Sequence, residues 1–298
     1  MTHIPVILNH RAGVRDVGRE EEILAAFASH GISAEIKNVD ADGDGDFTSL
    51  VRGCVTDRCP VVVVGGGDGS LHAAAGVLAG TDTALGILPV GTLNHLAKDL
   101  AVPLGVEDAV AVIVAGVIRN VDVGEANGQV FINNASLGLY PSVVRRRKAI
   151  QQRLGRSKWL AFAIATRRAL LRYRLLLVRV RMKDNDYVRR TPFVFIGNNS
   201  YVMDGLNIGT RAALDAGVLS LYMARRESPF SLLLLALRAL LGRLRQAKDF
   251  EEFTATEVRI ETRRPHEFVG VDGEVVSMET PIRCHVRPLA LRVVVPAA

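Results

Sequence analysis

Four consecutive valines, Val61 to Val64, run without interruption into Gly65-Gly66-Gly67-Asp68-Gly69-Ser70. A strand so uniformly apolar is buried on both faces, and such strands belong to parallel sheets covered by helices. Glycines at its carboxyl end let backbone N–H groups approach an anion without side-chain obstruction, and a helix opening there adds the positive end of its dipole. The loop therefore reads as a phosphate-handling element. It is not GxxxxGK[ST], and GxGxxG fails at Ser70, so neither a Walker loop nor a dinucleotide fingerprint is present. Asp68 is the informative residue. A carboxylate here would repel phosphate unless it serves a metal, takes a proton from a reacting hydroxyl, or caps the helix.

The surrounding pattern agrees with a parallel sheet. Ile4–Leu8, Ile32–Lys37, Pro60–Val64 and Ala84–Leu88 read as strands, and Gly18–His30, Phe47–Thr56, Leu71–Leu78 and Leu93–Leu100 as helices between or after them. This alternation predicts an α/β domain, a doubly wound parallel sheet with helices on both faces. The Asp42–Asp46 stretch superficially suggests a calcium loop but lacks a Glu at the twelfth position, and reads as a solvated loop. After about Val121 strands dominate: Gln129–Asn134, Leu175–Met182, Thr191–Gly197, Val218–Met223, Glu257–Thr262, Glu267–Val271, Ile282–Val286 and Leu291–Val295. They predict a β-sandwich, interrupted by helical stretches at Arg145–Arg174 and Pro229–Gln246. The expected domains are 1–125 and 126–298.

Two further segments carry chemistry. In Leu88-Pro89-Val90-Gly91-Thr92-Leu93-Asn94 a strand again ends in Pro and Gly, and Thr92 and Asn94 flank a helix start. Thr92 either caps that helix or faces a ligand. Ligands gather beyond the carboxyl ends of parallel strands, so this loop, the glycine loop and Asn9 at the end of the first strand are expected on one rim. The third segment, Val271-Asp272-Gly273-Glu274, lies between two apolar runs and is in the first place a hairpin signal.

Charge and cysteines narrow the setting. The net charge of +6 conceals a cluster: 16 Lys/Arg stand against two acids between Arg145 and Arg190, on a body that is otherwise acidic. Arg145-Arg146-Arg147-Lys148 and the arginines up to Arg174 are interleaved with Trp159, Leu160, Phe162 and Ile164. This is the pattern of a basic amphipathic helix at an anionic membrane surface, or of a core-packed helix with a solvated basic face. With aromatics at 5%, stacking platforms are scarce and nucleic acid is not an expected partner. The leucine-rich Pro229–Gln246 stretch leaves a homodimer open. The three cysteines, Cys54, Cys59 and Cys284, form no CxxC pair, which argues against a disulfide framework and suits a reducing cytoplasm. The opening residues show no secretory pattern, and the Phe230–Leu241 run is too short to span a bilayer. A cytoplasmic protein associated peripherally with the inner face of the membrane is expected.

Taken together, Gly66-Gly67-Asp68-Gly69-Ser70, Pro89 to Asn94 and Asp272-Gly273-Glu274 resemble the GGDG[T/S], PxGTxN and late DGE motifs of the diacylglycerol kinase catalytic-domain family, in its bacterial lipid-kinase branch. Asn133-Asn134-Ala-Ser-Leu-Gly138 and Gly197-Asn198-Asn199 also look like that branch, and the order and spacing of all segments agree over nearly the whole chain. The resemblance implies an ATP-dependent kinase that phosphorylates a lipid hydroxyl, most naturally diacylglycerol. The glycine loop, Thr92 and Asn94 would hold ATP, Asp272 would sit near the nucleotide or metal, and Asp68 or Glu274 would accept the hydroxyl proton while Mg2+ offsets developing charge. In one place the chain departs from the family. Where its members often carry Asp-Asp-Gly, associated with a second Mg2+, this sequence has Asp215-Ala216-Gly217, which removes an oxygen ligand. The competing expectations are a kinase of a soluble polyol or nucleotide, as in NAD kinases, and a non-catalytic lipid- or nucleotide-binding regulator.

Overall fold

The computed structural model describes residues 3–9, 17–39, 46–139, 141, 144, 175–183, 185–202, 210–211, 213–224 and 250–297. The basic helical stretch at 145–174 and the leucine-rich one at 229–246 lie outside the described residues. The chain forms two compact units, Met1–Val123 with Pro288–Ala298, and Gly124–Arg287.

The first unit is built on parallel strands β1 (His3–Asn9), β2 (Ser33–Val39), β3 (Val61–Gly65) and β4 (Ala84–Leu88), ordered β2-β1-β3-β4. Every residue of β3 and β4 is buried, because helices cover both faces, as the valine run requires. Helix α1 (Val17–Ser29) packs on α5 (Val106–Ala115), and α2 (Phe47–Thr56) packs on α3 (Asp68–Leu78). The short α4 (His95–Asp99) completes the set. Local signals set the boundaries. Gly31 follows α1 at φ 71. Asp46 is the N-cap of α2, accepting hydrogen bonds from the Thr48 N–H and from the Thr48 and Ser49 hydroxyls. These bonds hold its carboxyl below the ordinary carboxylate range.

Helix α5 is absent from the sequence reading. Its Val-Glu-Asp-Ala-Val-Ala-Val-Ile-Val-Ala sequence is rich in β-branched residues, which weigh against helix locally. Acids in the first turn, a left-handed Gly116 at its end, and burial of Ala109, Val110 and Ile113 against the sheet decide otherwise.

The second unit is a sandwich of two antiparallel layers. One contains β8 (Leu176–Met182), β9 (Asn185–Thr191), β15 (Glu257–Thr262) and the first part of β18 (Ile282–Val294). The other runs β14 (Phe250–Ala255), β13 (Leu219–Ala224), β10 (Phe193–Asn198), β7 (Asn134–Gly138), β16 (His266–Val271), β17 (Glu274–Glu279). Val178, Val180, Val258, Ile260, Ile282 and Cys284 from the first layer share one core with Leu137, Val194, Ile196, Leu221 and Val269 from the second. Alternation along each strand turns these residues inward. Burial pushes the Cys284 thiol up to about 12.

Three expectations need correction. Ile282–Val286 and Leu291–Val295 are a single strand, β18, kept continuous through Leu289 at φ 53 because the buried Asp122 carboxylate accepts the Leu289 N–H at 2.8 Å. The last residues of that strand pair in parallel with β4, Val293 opposite Leu85. Pro288–Ala298 therefore belongs to the first unit, not to a domain running to 298. Finally, Gln129–Asn134 is not one strand. β6 (Gln129–Phe131), which pairs with β5 (Ile118–Ala126), ends before β7 begins, because the N–H groups of Ile132 to Asn134 are taken by a side chain described below.

Candidate active site

In the first unit the register sets Leu8 beside Gly65 and Gly65 beside Leu88. Asn9, Gly66 and Pro89 thus emerge together at the carboxyl ends of their strands. The Asn9 amide donates to Ser70 Oγ at 3.0 Å, and a Cβ on Gly66 would fall 2.5 Å from that same oxygen. Gly65 is closed in by Leu8. The two loops meet at Gly67 and Gly91, where a side chain on Gly91 would collide with Gly67 Cα. The approach requires glycine at Gly91, whereas a Cβ on Gly67 would meet Gly91 Cα at an ordinary 3.8 Å.

The corner is fastened by two side chains. Asp68, the first residue of α3, uses Oδ1 to accept the His95 N–H at 2.8 Å and so caps α4 from 27 residues away. Asn94 is left-handed, at φ 51 and ψ 47, and its amide nitrogen donates to the carbonyls of Pro89 and Gly91, each at 3.0 Å. Asn94 is buried, and its Oδ1 has no hydrogen-bond partner. Thr92 is exposed and does not cap α4, since Asn94 occupies the cap position. Gly67 at the N-cap of α3 supplies no side-chain oxygen, so the first turn presents N–H groups without intrahelical partners. Free backbone donors and two side-chain-free peptides describe a cradle for polyphosphate, whereas the buried Asn94 Oδ1, an acceptor, calls for a donor group. One carboxylate at its lip suits Mg2+, which is typically held by one or two carboxylates together with substrate phosphates and water.

In the second unit Asp272 and Gly273 form the two-residue turn between β16 and β17, both at positive φ, 45 and 89. This is the hairpin that Asp-Gly announces. The Asp272 carboxylate is engaged with the protein itself: Oδ2 accepts the Ile132 N–H at 2.7 Å, and Oδ1 those of Asn133 and Asn134 at 2.8 and 2.9 Å. These bonds give Asp272 a structural role in holding the Ile132–Asn134 segment. The carbonyls of the same segment are also used. Ile132 O accepts from Asn198 Nδ2 and Arg211, and Asn133 O from the Asn198 N–H and the Tyr201 hydroxyl. Asn198 belongs to the Gly197-Asn198-Asn199 segment noted from sequence, whereas Tyr201 and Arg211 carry no sequence signal. Glu274, next along the hairpin, is exposed.

Asp215 is exposed in a turn, and the N–H of its neighbour Ala216 donates to Asn199 Oδ1 at 3.2 Å. Among the described residues no three His, Cys, Asp or Glu side chains converge as a metal site.

Residues 3–126 match the family model of the diacylglycerol kinase catalytic domain, and residues 135–295 match the YegS C-terminal NAD kinase beta sandwich-like domain. The chain belongs to the diacylglycerol kinase and YegS-like lipid kinase family. A diacylglycerol kinase of Mycobacterium tuberculosis is 29% identical over 289 residues, 91% of each chain. A Bacillus subtilis diacylglycerol kinase is 35% identical over 97 residues; that match spans about a third of the length of either protein, 32% of each. The solved structure of a diacylglycerol kinase from Bacillus anthracis superposes with a TM-score of 0.71 at 19% identity, covering 99% of this chain and 97% of the other. That likeness supports the fold: a parallel sheet with helices, followed by antiparallel strands. Among the described residues no helix is long and apolar enough to cross a membrane.

Proposed function

We propose that this family member is an ATP-dependent lipid kinase that transfers the γ-phosphate of ATP to a lipid hydroxyl, with diacylglycerol as acceptor and phosphatidic acid as product. The observation carrying this reading is the Gly67–Gly91 contact, which brings two glycine loops together beside an uncapped helix start. A triphosphate supplies the acceptors that the free N–H groups of the α3 start lack.

In the reaction the lipid oxygen bonds to the γ-phosphorus, the bond from that phosphorus to the β–γ bridging oxygen breaks, ADP leaves, and the hydroxyl proton passes to a carboxylate. Mg2+, when bound, offsets the charge that develops on the phosphoryl oxygens. Asp68 and Glu274 differ in how free they are. Asp68 Oδ1 is tied to the His95 N–H, which suits it to hold the loop and face the metal. Glu274 is exposed on a turn that Asp272 pins, which suits it to receive the proton.

The test is transfer of radiolabel from ATP to diacylglycerol in mixed micelles with Mg2+. Labelled phosphatidic acid is expected. Labelling of a soluble polyol or nucleotide with no lipid product would instead place the chain with soluble-substrate kinases.

A further inference from the structure

The solvent face of one sandwich layer carries a row of like charges. Arg283 on β18 stands directly opposite Arg259 on β15, and Arg259 directly opposite Arg181 on β8. The alternate residues, Val180, Ile260 and Cys284 among them, are buried in the core, so all three arginines point to the other side. Like charges opposed across neighbouring strands destabilise a sheet. Two in succession, at a strand spacing of about 4.8 Å, form a conflict that an external anion would relieve.

The protein answers the row only in part. Asp186 takes Arg179 through Nε and Nη2, the shortest contact being 2.6 Å, and reaches Arg181 at 3.4 Å. Glu261 lies 3.2 Å from Arg181 and 3.2 Å from Arg259 Nε. The second of these is off the N–H direction, so the buried Arg259 Nε–H keeps no aligned acceptor. Among the described residues no carboxylate pairs with Arg283. Three arginines therefore share two carboxylates, and the fourth, Arg283, has none among the described residues. Val188, 57% exposed, stands on the same face opposite Arg179. At one end a cleft of about 570 Å³ is lined by Arg181, Lys183 and Arg259 together with Met182, Phe253 and Glu257.

We propose that this face, centred on Arg181, Arg259 and Arg283, docks the protein on a membrane bearing anionic phospholipids. The proposal rests on the lipid-kinase reading, which puts the acceptor in a bilayer. A flat layer of guanidinium groups matches a plane of phosphates, and an exposed aliphatic side chain among them suits the headgroup boundary. Nucleic acid is disfavoured because the row offers no aromatic ring for stacking.

The experiment uses the full chain without nucleotide. Sedimentation is measured with vesicles of phosphatidylcholine alone and of equal parts phosphatidylcholine and phosphatidylglycerol. The wild type binds the anionic vesicles, and the R181Q/R259Q/R283Q variant binds them on the order of a hundredfold more weakly. The D186N/E261Q variant, which frees arginines, binds more tightly and carries the test if the first variant does not fold. Transfer to a short-chain diacylglycerol dispersed as monomers is unchanged in R181Q/R259Q/R283Q. Should no variant transfer phosphate at all, the kinase reading fails while the vesicle result still decides the docking face. Equal binding of wild type and R181Q/R259Q/R283Q overturns the proposal, as does equal binding to neutral vesicles. A change in oligomeric state by light scattering, with vesicle binding intact, would overturn it by assigning the face to a second copy of the chain.

Discussion

Both units place an aspartate beside glycine at a turn following a strand, and they use it in opposite ways. At Gly67-Asp68-Gly69 the carboxylate takes a single N–H, from His95, while the start of α3 is left without a side-chain cap. At Asp272-Gly273 the carboxylate collects three N–H groups, from Ile132, Asn133 and Asn134. The first arrangement leaves donors over for solvent or a ligand to take. The second is complete in itself. Unspent hydrogen-bonding capacity, more than the presence of a carboxylate, separates a binding corner from a structural joint.

The strongest way to break this contrast is through Glu274, which the Asp272 joint presents. Glu274→Gln is expected to lower turnover about 10²–10⁴-fold with the melting temperature and ATP affinity unchanged. Unaltered turnover in radiolabel transfer would remove Glu274 from the chemistry.

Asp272→Ala comes next. It strands three backbone donors, each costing about 1–3 kcal/mol when buried without a partner, so urea unfolding should register a loss of at least about 3 kcal/mol. Asp68→Ala, by contrast, should change unfolding little and ATP affinity strongly. If the two substitutions destabilise the protein equally, the contrast is wrong.

Gly91→Ala drives a methyl group into Gly67 Cα. Overpacking of this kind costs about 1–3 kcal/mol, and the displaced loops should show weakened ATP binding by calorimetry.

The smallest effect lies at the outer edge of the joint. The Tyr201 hydroxyl donates to Asn133 O, and the Tyr201 N–H donates to the Tyr222 hydroxyl. Burial, chiefly, pushes the Tyr222 phenol from 10.0 up to about 12. A folded value above the unfolded one favours the neutral form. The stability Tyr222 contributes is therefore complete below pH 10 and is lost as pH rises through about 12. Ultraviolet titration should show a late-ionising phenol that Tyr222→Phe removes, at a cost of about 1 kcal/mol.

The legible parts of the molecule were those governed by local chemistry. Strand β4 and helix α2 fall on the residues expected, because a run of buried aliphatics and an Asp46 cap need no distant partner. The Asp-Gly hairpin was readable for the same reason. Illegible were the contacts set by the fold: Asp68 reaching His95, Asp272 splitting the 129–134 stretch into two strands, and α5 formed against its own β-branched composition. The candidate residues Asn9, Ser70, Asp68 and Asn94 do gather at one corner. What each does there depended on which donors the surrounding peptide had already used.

Strand β18 carries a consequence for synthesis. The first unit is closed by Leu291 to Val294, residues joined to β4 across two hundred positions of sequence. On the ribosome, β4 waits with a bare apolar edge while the whole second unit emerges. Such long-range closure slows folding and leaves an unpaired edge open to wrong partners. The nascent chain should thus be most dependent on chaperones, and most easily cut by proteases, in the interval before β18 arrives.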